Sequence, residues 1–183
     1  DNPVYMNTGG QLSYTTPFGK ATSTCHIGKK SFGKNFHHKD TLSIMAATGI
    51  PYVFSAIEGF GTDLVEKAAK AQWYSKNKGL AFGKILVSCP LNWGSEERHG
   101  LEILQRAADS CFYPIYEVEE GLTTLNYDPE KIGKRIPVEE WLKLMGKEKH
   151  LLMRENRNHL DEFQREIDRR WERLKARAQN PLL

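Results

Sequence analysis

The sequence has few cysteines, and they do not form pairs. Its 183 residues include three, Cys25, Cys89 and Cys111, which lie far apart and make no Cys-x-x-Cys motif. An odd and dispersed set of cysteines argues against a disulfide framework. The cysteine content therefore favours a reducing compartment, and we expect the protein to be cytoplasmic.

The sequence also lacks a long hydrophobic run and a strong charge of one sign. No apolar stretch approaches the roughly 20 residues that a helix needs to cross a bilayer, and no signal peptide is visible. The net charge is +3, with basic residues scattered among acidic ones. These features argue against a membrane protein and a nucleic-acid-binding protein, and they indicate a soluble protein that can bury a hydrophobic core.

Helical and strand patterns alternate along the first two thirds of the chain. Expected helices cover 41–47, 62–74 and 95–110, and expected strands cover 51–56, 80–88 and 113–118. Nearly continuous apolar strands between helices predict an α/β fold with a parallel sheet covered on both faces. In the helix at 62–74, Thr62 is the expected N-cap, and Val65 and Trp73 are expected among the inward-facing residues.

The pattern changes after Glu120, where we expect the sheet to end. Residues 121–135 read as a hairpin or extended segment, a short helix follows Pro137, and a long charged helix covers 158–179. An apolar stripe runs along this last helix at Leu160, Phe163, Ile167, Trp171 and Leu174. We therefore predict two parts, 1–120 and 121–183, the second an extension with a helical arm that contacts partner subunits.

Two loops carry candidate chemistry. The Asn7-Thr8-Gly9-Gly10 turn offers backbone N–H groups and almost no charge, which suits a diphosphate. Cys89-Pro90 directly follows the strand expected at 80–88, and ligands of parallel sheets bind beyond the carboxyl ends of strands. Because no strand precedes the first turn, we expect the chain to be the second part of a nucleotide-like cofactor site.

Five separated segments match one family in order and spacing. The segments are Tyr5–Pro17, Gly49–Val53, Ser88–Gly94, Pro114–Glu117 and Pro137–Leu142. They resemble the thiamin-diphosphate-binding β subunit of 2-oxoacid:ferredoxin oxidoreductases, most closely that of the pyruvate enzymes. The resemblance covers nearly all of the chain and corresponds to the C-terminal part of that subunit. It implies a thiamin-diphosphate-type sheet and an upstream half, carrying a magnesium-binding Asp and three more cluster cysteines, that this sequence does not contain.

The resemblance also implies roles for individual residues. The Asn2 side chain and the Val4 carbonyl are implied as Mg²⁺ ligands. Asn7, Thr8 and Gly9 are implied to contact thiamin diphosphate, with Asn7 near its reactive end. Cys89 is implied as the fourth thiolate ligand of a [4Fe–4S] cluster, for which four thiolates are needed, with Asn92 and Trp93 close by.

The activity implied by the resemblance is oxidative decarboxylation of a 2-oxo acid, with pyruvate as the first candidate. Electrons would pass through [4Fe–4S] clusters to ferredoxin, and the acyl group would be transferred to coenzyme A. The expected partners are α-, γ- and δ-type subunits, so the chain would be active only in the complex. Alternatives are oxalate, branched or aryl 2-oxo acids as substrates, a non-redox thiamin-dependent decarboxylase or carboligase, and a fragment that serves assembly alone.

Two further patterns carry little weight. Gly28–Asn35 nearly spells a phosphate-binding P-loop, but it ends in Asn, and no strand precedes it. We expect its lysines to lie on a solvated loop. Cys25-His26 and His37-His38 do not have the spacing of common zinc sites.

Overall fold

A four-stranded sheet forms the centre of the protein in the computed structural model, which describes Val4 and residues 10–180. The strands are β1 (Ile27–Gly28), β2 (Ser31–Phe32), β3 (Tyr52–Ile57), β4 (Ala81–Leu86), β5 (Tyr116–Glu119) and β6 (Leu122–Leu125). The α-helices are α1 (Thr41–Ala47), α2 (Gly61–Asn77), α3 (Pro90–Trp93), α4 (Gly100–Asp109), α5 (Val138–Leu142) and α6 (Arg157–Gln179), with 3₁₀ helices at Glu97–His99, Gly146–Leu152 and Arg154–Asn156. None of the helices within this described part is both long and apolar enough to cross a membrane.

The central sheet is mixed, with the order β4–β3–β5–β6. β3 and β4 are parallel, whereas β5 runs antiparallel to β3, with Val53 opposite Val118. The α/β class fits this arrangement, but the prediction of a parallel sheet is wrong for β5. Residues 110–115 turn the chain back directly after α4, with Cys111 in the left-handed region at φ 57°. A continuous apolar run indicates burial on both faces of a sheet and carries no information about strand direction.

The sheet also continues beyond Glu120, where it was expected to end. β5 and β6 form a hairpin in which Glu119 pairs with Leu122. The two turn residues, Glu120 and Gly121, have φ values of 50° and 88°. Positive φ at both positions is typical of a type I′ turn, whose twist matches that of the paired strands.

One face of the sheet packs on α2, and the helix presents a different side from the predicted one. Tyr74 is buried there, whereas Val65 is 68% exposed and Trp73 is 51% exposed. The inward position at the centre of the helix belongs to Lys67, whose Nζ donates to the Ser55 carbonyl at 2.8 Å. The prediction named only apolar residues as inward-facing, so it could not include Lys67.

The N-terminus of α2 also differs from the prediction. Phe60 precedes the first turn, and Thr62 lies inside the helix without capping it. By contrast, Asp40 caps α1 with its side chain, a residue type that favours N-caps, and it accepts a hydrogen bond from the Ser43 backbone N–H at 3.1 Å. The start of α1 was therefore predictable from a side chain, and the start of α2 was not.

The other face of the sheet carries the larger hydrophobic core, which includes α6. The long terminal helix is confirmed, and its apolar stripe is buried against the chain itself. Periodicity shows that a helix face is covered but not by what; here the chain itself covers the stripe, and the prediction that the helical arm contacts partner subunits stays a prediction. Residues from both sides of position 120, such as Ile103 and Trp171, contribute to this core. The division into 1–120 and 121–183 stays a prediction.

Candidate functional site

The carboxyl ends of β3 and β4 meet at one edge of the sheet because these strands are parallel. The loops that follow them are joined by side-chain hydrogen bonds. The Glu58 carboxylate accepts a bond from the Ser88 backbone N–H at 3.2 Å and one from the Ser88 hydroxyl at 3.4 Å. The turn after β4 is therefore held against the neighbouring loop at the edge where α/β proteins bind ligands.

Cys89 lies in this turn, directly before α3. Its carbonyl accepts the bond from the Trp93 N–H at 3.0 Å, which closes the helix. Pro90 occupies the first helical position, where its missing N–H costs nothing, and Gly94 ends the helix in the left-handed conformation at φ 62°. The Cys89 thiol is half-buried, makes no disulfide and does not cap the helix. The backbone thus fixes the cysteine while its sulfur remains available as a ligand.

Cys111 lies in a different environment from Cys89. Cys111 is buried, and burial raises the pKa of its thiol to about 12. A thiol with such a pKa stays protonated at neutral pH, whereas the thiolate is the form that binds metal. Within Val4 and residues 10–180, no group of three His, Cys, Asp or Glu side chains is close enough to hold a metal ion. Within the described residues Cys89 belongs to no such group, so a cluster bound by its thiolate would need further ligands from elsewhere.

A buried lysine connects the Cys89 turn to two other parts of the chain. Lys20 is 2% exposed, and its Nζ forms an ion pair with Glu148 in the 3₁₀ helix 146–152. The same Nζ donates to the Asn92 carbonyl in α3 at 3.4 Å. Burial raises the pKa of the Glu148 carboxyl, although the Lys20 ammonium opposes that shift. One ammonium thus links residues 10–36, the Cys89 turn and the C-terminal segment.

Two more basic side chains hold the loop of residues 10–36 in place. Lys34 is fully buried, and its Nζ donates to carbonyls of the same loop, including that of Thr16 at 2.5 Å. The His150 Nε2–H donates to the Gly19 carbonyl at 2.8 Å and to the Phe32 carbonyl at 3.0 Å. Buried basic side chains therefore provide hydrogen-bond donors for several backbone carbonyls of the loop.

The burial of these basic side chains was not predicted from the sequence. The Gly28–Asn35 segment forms the β1–β2 hairpin and its exit, and Lys29 and Lys30 are exposed as expected. Lys34 contradicts the expectation of a solvated loop, because it turns inward after Gly33. Gly33 has φ 98°, and a Cβ there would lie 2.4 Å from the Gly19 carbonyl oxygen. The sequence signal for this inward turn was the Gly33-Lys34 pair, which a phosphate-binding motif does not take into account.

The predicted site residues divide into those that the structure describes and those that it does not. Cys89 and Val4 are described, and Val4 is a half-exposed residue at a bend. Asn2, Asn7, Thr8 and Gly9 lie outside the described residues. The structure therefore defines the surroundings of Cys89, and the magnesium and diphosphate assignments stay predictions. Asn92 and Trp93, expected beside Cys89, are both buried in α3.

Comparison with known proteins gives a consistent group of relatives. The chain is 33% identical over 180 residues to ketoisovalerate oxidoreductase subunit VorB of Pyrococcus furiosus, covering 98% of the chain and 55% of that subunit. It is 39% identical over 155 residues to pyruvate synthase subunit PorB of Methanosarcina barkeri, covering 85% of the chain and 50% of the subunit. It is 36% identical over 193 aligned positions to PorB of Pyrococcus furiosus, covering 97% and 57%. The chain thus spans about half the length of these relatives, and no protein-family profile matches it.

Proposed function

By sequence the chain belongs to the β-subunit family of 2-oxoacid:ferredoxin oxidoreductases, of which it matches the C-terminal part, and on this premise we propose that it contributes to the cofactor site of such an enzyme. The enzyme would decarboxylate a 2-oxo acid, transfer the acyl group to coenzyme A and reduce ferredoxin. The relatives named for pyruvate and for ketoisovalerate support this class of reaction. Pyruvate and the branched acid are the two substrate candidates.

The placement of Cys89 is the observation that carries the proposal. The thiol stands at the carboxyl end of β4, in a turn fixed by Glu58 and by the backbone of α3. We propose that it supplies one of the four thiolates of a [4Fe–4S] cluster, which accepts single electrons when bound. The buried Trp93 next to it excludes water on the inner side of the turn. Burial and hydrogen bonding around a cluster sulfur are what a protein uses to set its potential.

The remaining residues of this chain would hold the organic cofactor. We propose that Asn2 and the Val4 carbonyl bind Mg²⁺, which prefers oxygen ligands in octahedral geometry. Asn7, Thr8 and Gly9 would bind the diphosphate of thiamin diphosphate through amide, hydroxyl and backbone N–H groups. Their neutrality matters, because an added carboxylate would repel the diphosphate. The loop of residues 10–36, anchored by Lys20 and Lys34, would fix the position of this segment.

The test is a visible spectrum, recorded anaerobically, of the intact complex that contains this chain. Pyruvate and ketoisovalerate are added separately, with and without coenzyme A, and the broad iron–sulfur absorption is followed. Bleaching by one acid identifies the substrate, and a requirement for coenzyme A identifies the acyl acceptor. A complex without iron–sulfur absorption contradicts the redox assignment and favours a non-redox thiamin enzyme or an assembly subunit.

A matched pair of cysteine variants tests the cluster ligand directly. Cys89→Ser is expected to lower the iron content per complex, measured chemically, and to remove electron transfer to ferredoxin. Cys25→Ser is the control, because Cys25 is also half-buried and free but lies in the N-terminal loop. Equal iron content in both variants would rule out Cys89 as a ligand.

A further inference from the structure

A groove lies along α6, between this helix and the start of α1. Its volume is about 510 Å³. Asp40 and Ser43 form one wall, and Arg170, Arg173 and Arg177 line the other. Arginines spaced by three and four residues lie on one face of a helix, so three guanidinium groups point toward the same space.

The positive charge of the groove is only partly compensated within the helix. Glu166 accepts hydrogen bonds from Arg169 at 2.6 and 2.7 Å and from Arg170 at 2.6 Å. Burial opposes ionisation of Glu166, yet these bonds lower its pKa to about 2. A single carboxylate therefore serves two guanidinium groups, and one positive charge remains in excess.

The next two arginines add to this excess. Arg177 Nη1 donates to the Ser43 hydroxyl at 2.9 Å. Arg173 is exposed and makes no hydrogen bond or ion pair within the described part of the chain. Asp40 is the acidic residue that lines the groove, and its carboxylate already accepts two bonds from Ser43. Arg170 Nη2 also donates to the His38 carbonyl at 2.6 Å, so an anion in the groove would find unused guanidinium N–H groups mainly at Arg173 and Arg177.

A smaller cavity of about 60 Å³ adjoins the groove and shares Asp40, Arg170 and Arg177 with it. His38 and Lys84 also line this cavity. Burial lowers the pKa of Lys84 to about 8 and that of His38 well below its usual 6.5, and Arg170 adds to both shifts. The His38 Nδ1 is buried with no hydrogen-bond partner in the part of the chain described. This set of groups is therefore suited to receive a negatively charged ligand.

We propose that the groove binds a small anion carrying more than one negative charge, an inorganic diphosphate or a phosphate ester. Arg170, Arg173 and Arg177 would hold its oxygens, because guanidinium groups bind phosphate through two parallel hydrogen bonds. The concave shape and the adjoining cavity favour a small ligand over the flat surface of an acidic protein. This site goes beyond the proposed function, which assigns none of these residues.

The test is calorimetric titration of the intact protein with inorganic pyrophosphate and, separately, with ADP. The protein is first loaded with thiamin diphosphate and Mg²⁺, and the excess is removed, so that the proposed cofactor site does not take up the probe. Arg173→Gln is the test variant, since its side chain is exposed and unpartnered in the described structure. Arg165→Gln is the control, because it removes the same charge from an exposed position of α6 outside the groove.

We expect saturable binding that Arg173→Gln weakens about tenfold, as the loss of a charge-assisted hydrogen bond implies, and that Arg165→Gln leaves nearly unchanged. Tighter binding of ADP than of pyrophosphate identifies the ligand as a phosphate ester, and the reverse order identifies inorganic diphosphate. Absence of saturable binding, or equal weakening by both substitutions, overturns the proposal. Neither arginine belongs to the proposed cofactor site, so the difference between the two variants tests the groove separately from the proposed function.

Discussion

Three buried basic side chains organise the loop of residues 10–36. A loop lacks the regular backbone hydrogen bonds of a helix or sheet. Here side chains donate to backbone carbonyls instead, and these side chains are Lys20, Lys34 and His150. Buried carbonyls without partners are costly, and a lysine can satisfy several at once. The price is the burial of charge, so single substitutions at these positions are expected to have large effects.

Lys20→Met is expected to lower the free energy of unfolding by about 3 kcal/mol, because it leaves the Glu148 carboxylate buried without its partner. Replacing both residues, as Lys20→Met with Glu148→Leu, is expected to recover much of that loss. Urea unfolding of the single and double variants measures both effects. Lys29→Met is the control, since Lys29 is exposed in the same loop. Equal stability of Lys20→Met and Lys29→Met would show that the buried pair contributes nothing.

Lys34 is expected to make stability depend on pH. Burial and the nearby Arg170 lower its pKa from 10.5 to about 8 in the folded protein. Between these values the unfolded chain binds more protons than the folded chain, so the contribution of Lys34 to the free energy of unfolding rises with pH. The free energy of unfolding of the wild type minus that of Lys34→Met should therefore increase as the pH rises from about 8 to 10.5. Urea unfolding at both ends of the window tests this, and a constant difference, as expected for exposed Lys30→Met, would contradict it.

At the scale of secondary structure elements, the β5–β6 hairpin depends on its two-residue turn. Gly121→Val is expected to lower the free energy of unfolding by about 1–2 kcal/mol, because a β-branched residue is strained at φ 88°. Glu120→Gly is the matched change, since it relieves a positive φ at the adjacent position and is expected to cost little. Thermal unfolding of both variants measures the difference. A Gly121→Val protein as stable as Glu120→Gly would exclude the type I′ turn.

Most elements were predictable because their signals are local. The Asp40 cap and the apolar run of β3 fixed the start of α1 and a buried strand. The direction of β5 was not predictable, since it depends on the turn at Cys111, a residue type that rarely adopts positive φ. The inner face of α2 was not predicted because Lys67 lies on it. Its ammonium bonds to the Ser55 carbonyl and to the Asp63 carboxylate, and a hydrophobic pattern does not register such bonds.

The same limits apply to the candidate site. Cys89 could be placed from sequence because it follows a strand whose position is evident. The contacts of the Cys89 turn could not be predicted. They depend on Lys20 and Glu148, which lie 128 residues apart in the chain. No periodicity in the sequence connects such distant positions, and charge alone suggested that both were solvated.

At the scale of the whole molecule, α6 completes the core. Trp171 and Phe163 are each 1% exposed and pack in the same cluster as Leu104 and Ile115. The helix is therefore part of the folding unit. Its apolar face is covered by the core, and the arginine groove lies on the part of its surface that remains open to other contacts.

Trp171→Ala is expected to destabilise the protein by about 3–5 kcal/mol, the range for truncating a large aromatic side chain in a core. Glu172→Ala, at the exposed neighbouring position, is expected to change the free energy of unfolding by less than about 0.5 kcal/mol. Guanidinium unfolding of both variants provides the comparison. If Trp171→Ala kept its stability and only weakened association with other subunits, the apolar stripe would belong to an interface.

The bond between Lys20 and Glu148 also sets an order of events during translation. A ribosome adding about 5–20 residues per second needs roughly 6–26 seconds to pass from the first of these residues to the second, which lie 128 positions apart. Throughout that interval the loop of residues 10–36 lacks the Lys20–Glu148 ion pair. Further residues must also leave the exit tunnel before this pair can form. The contact between this loop and the 3₁₀ helix 146–152 is therefore made only after Glu148 has been synthesised.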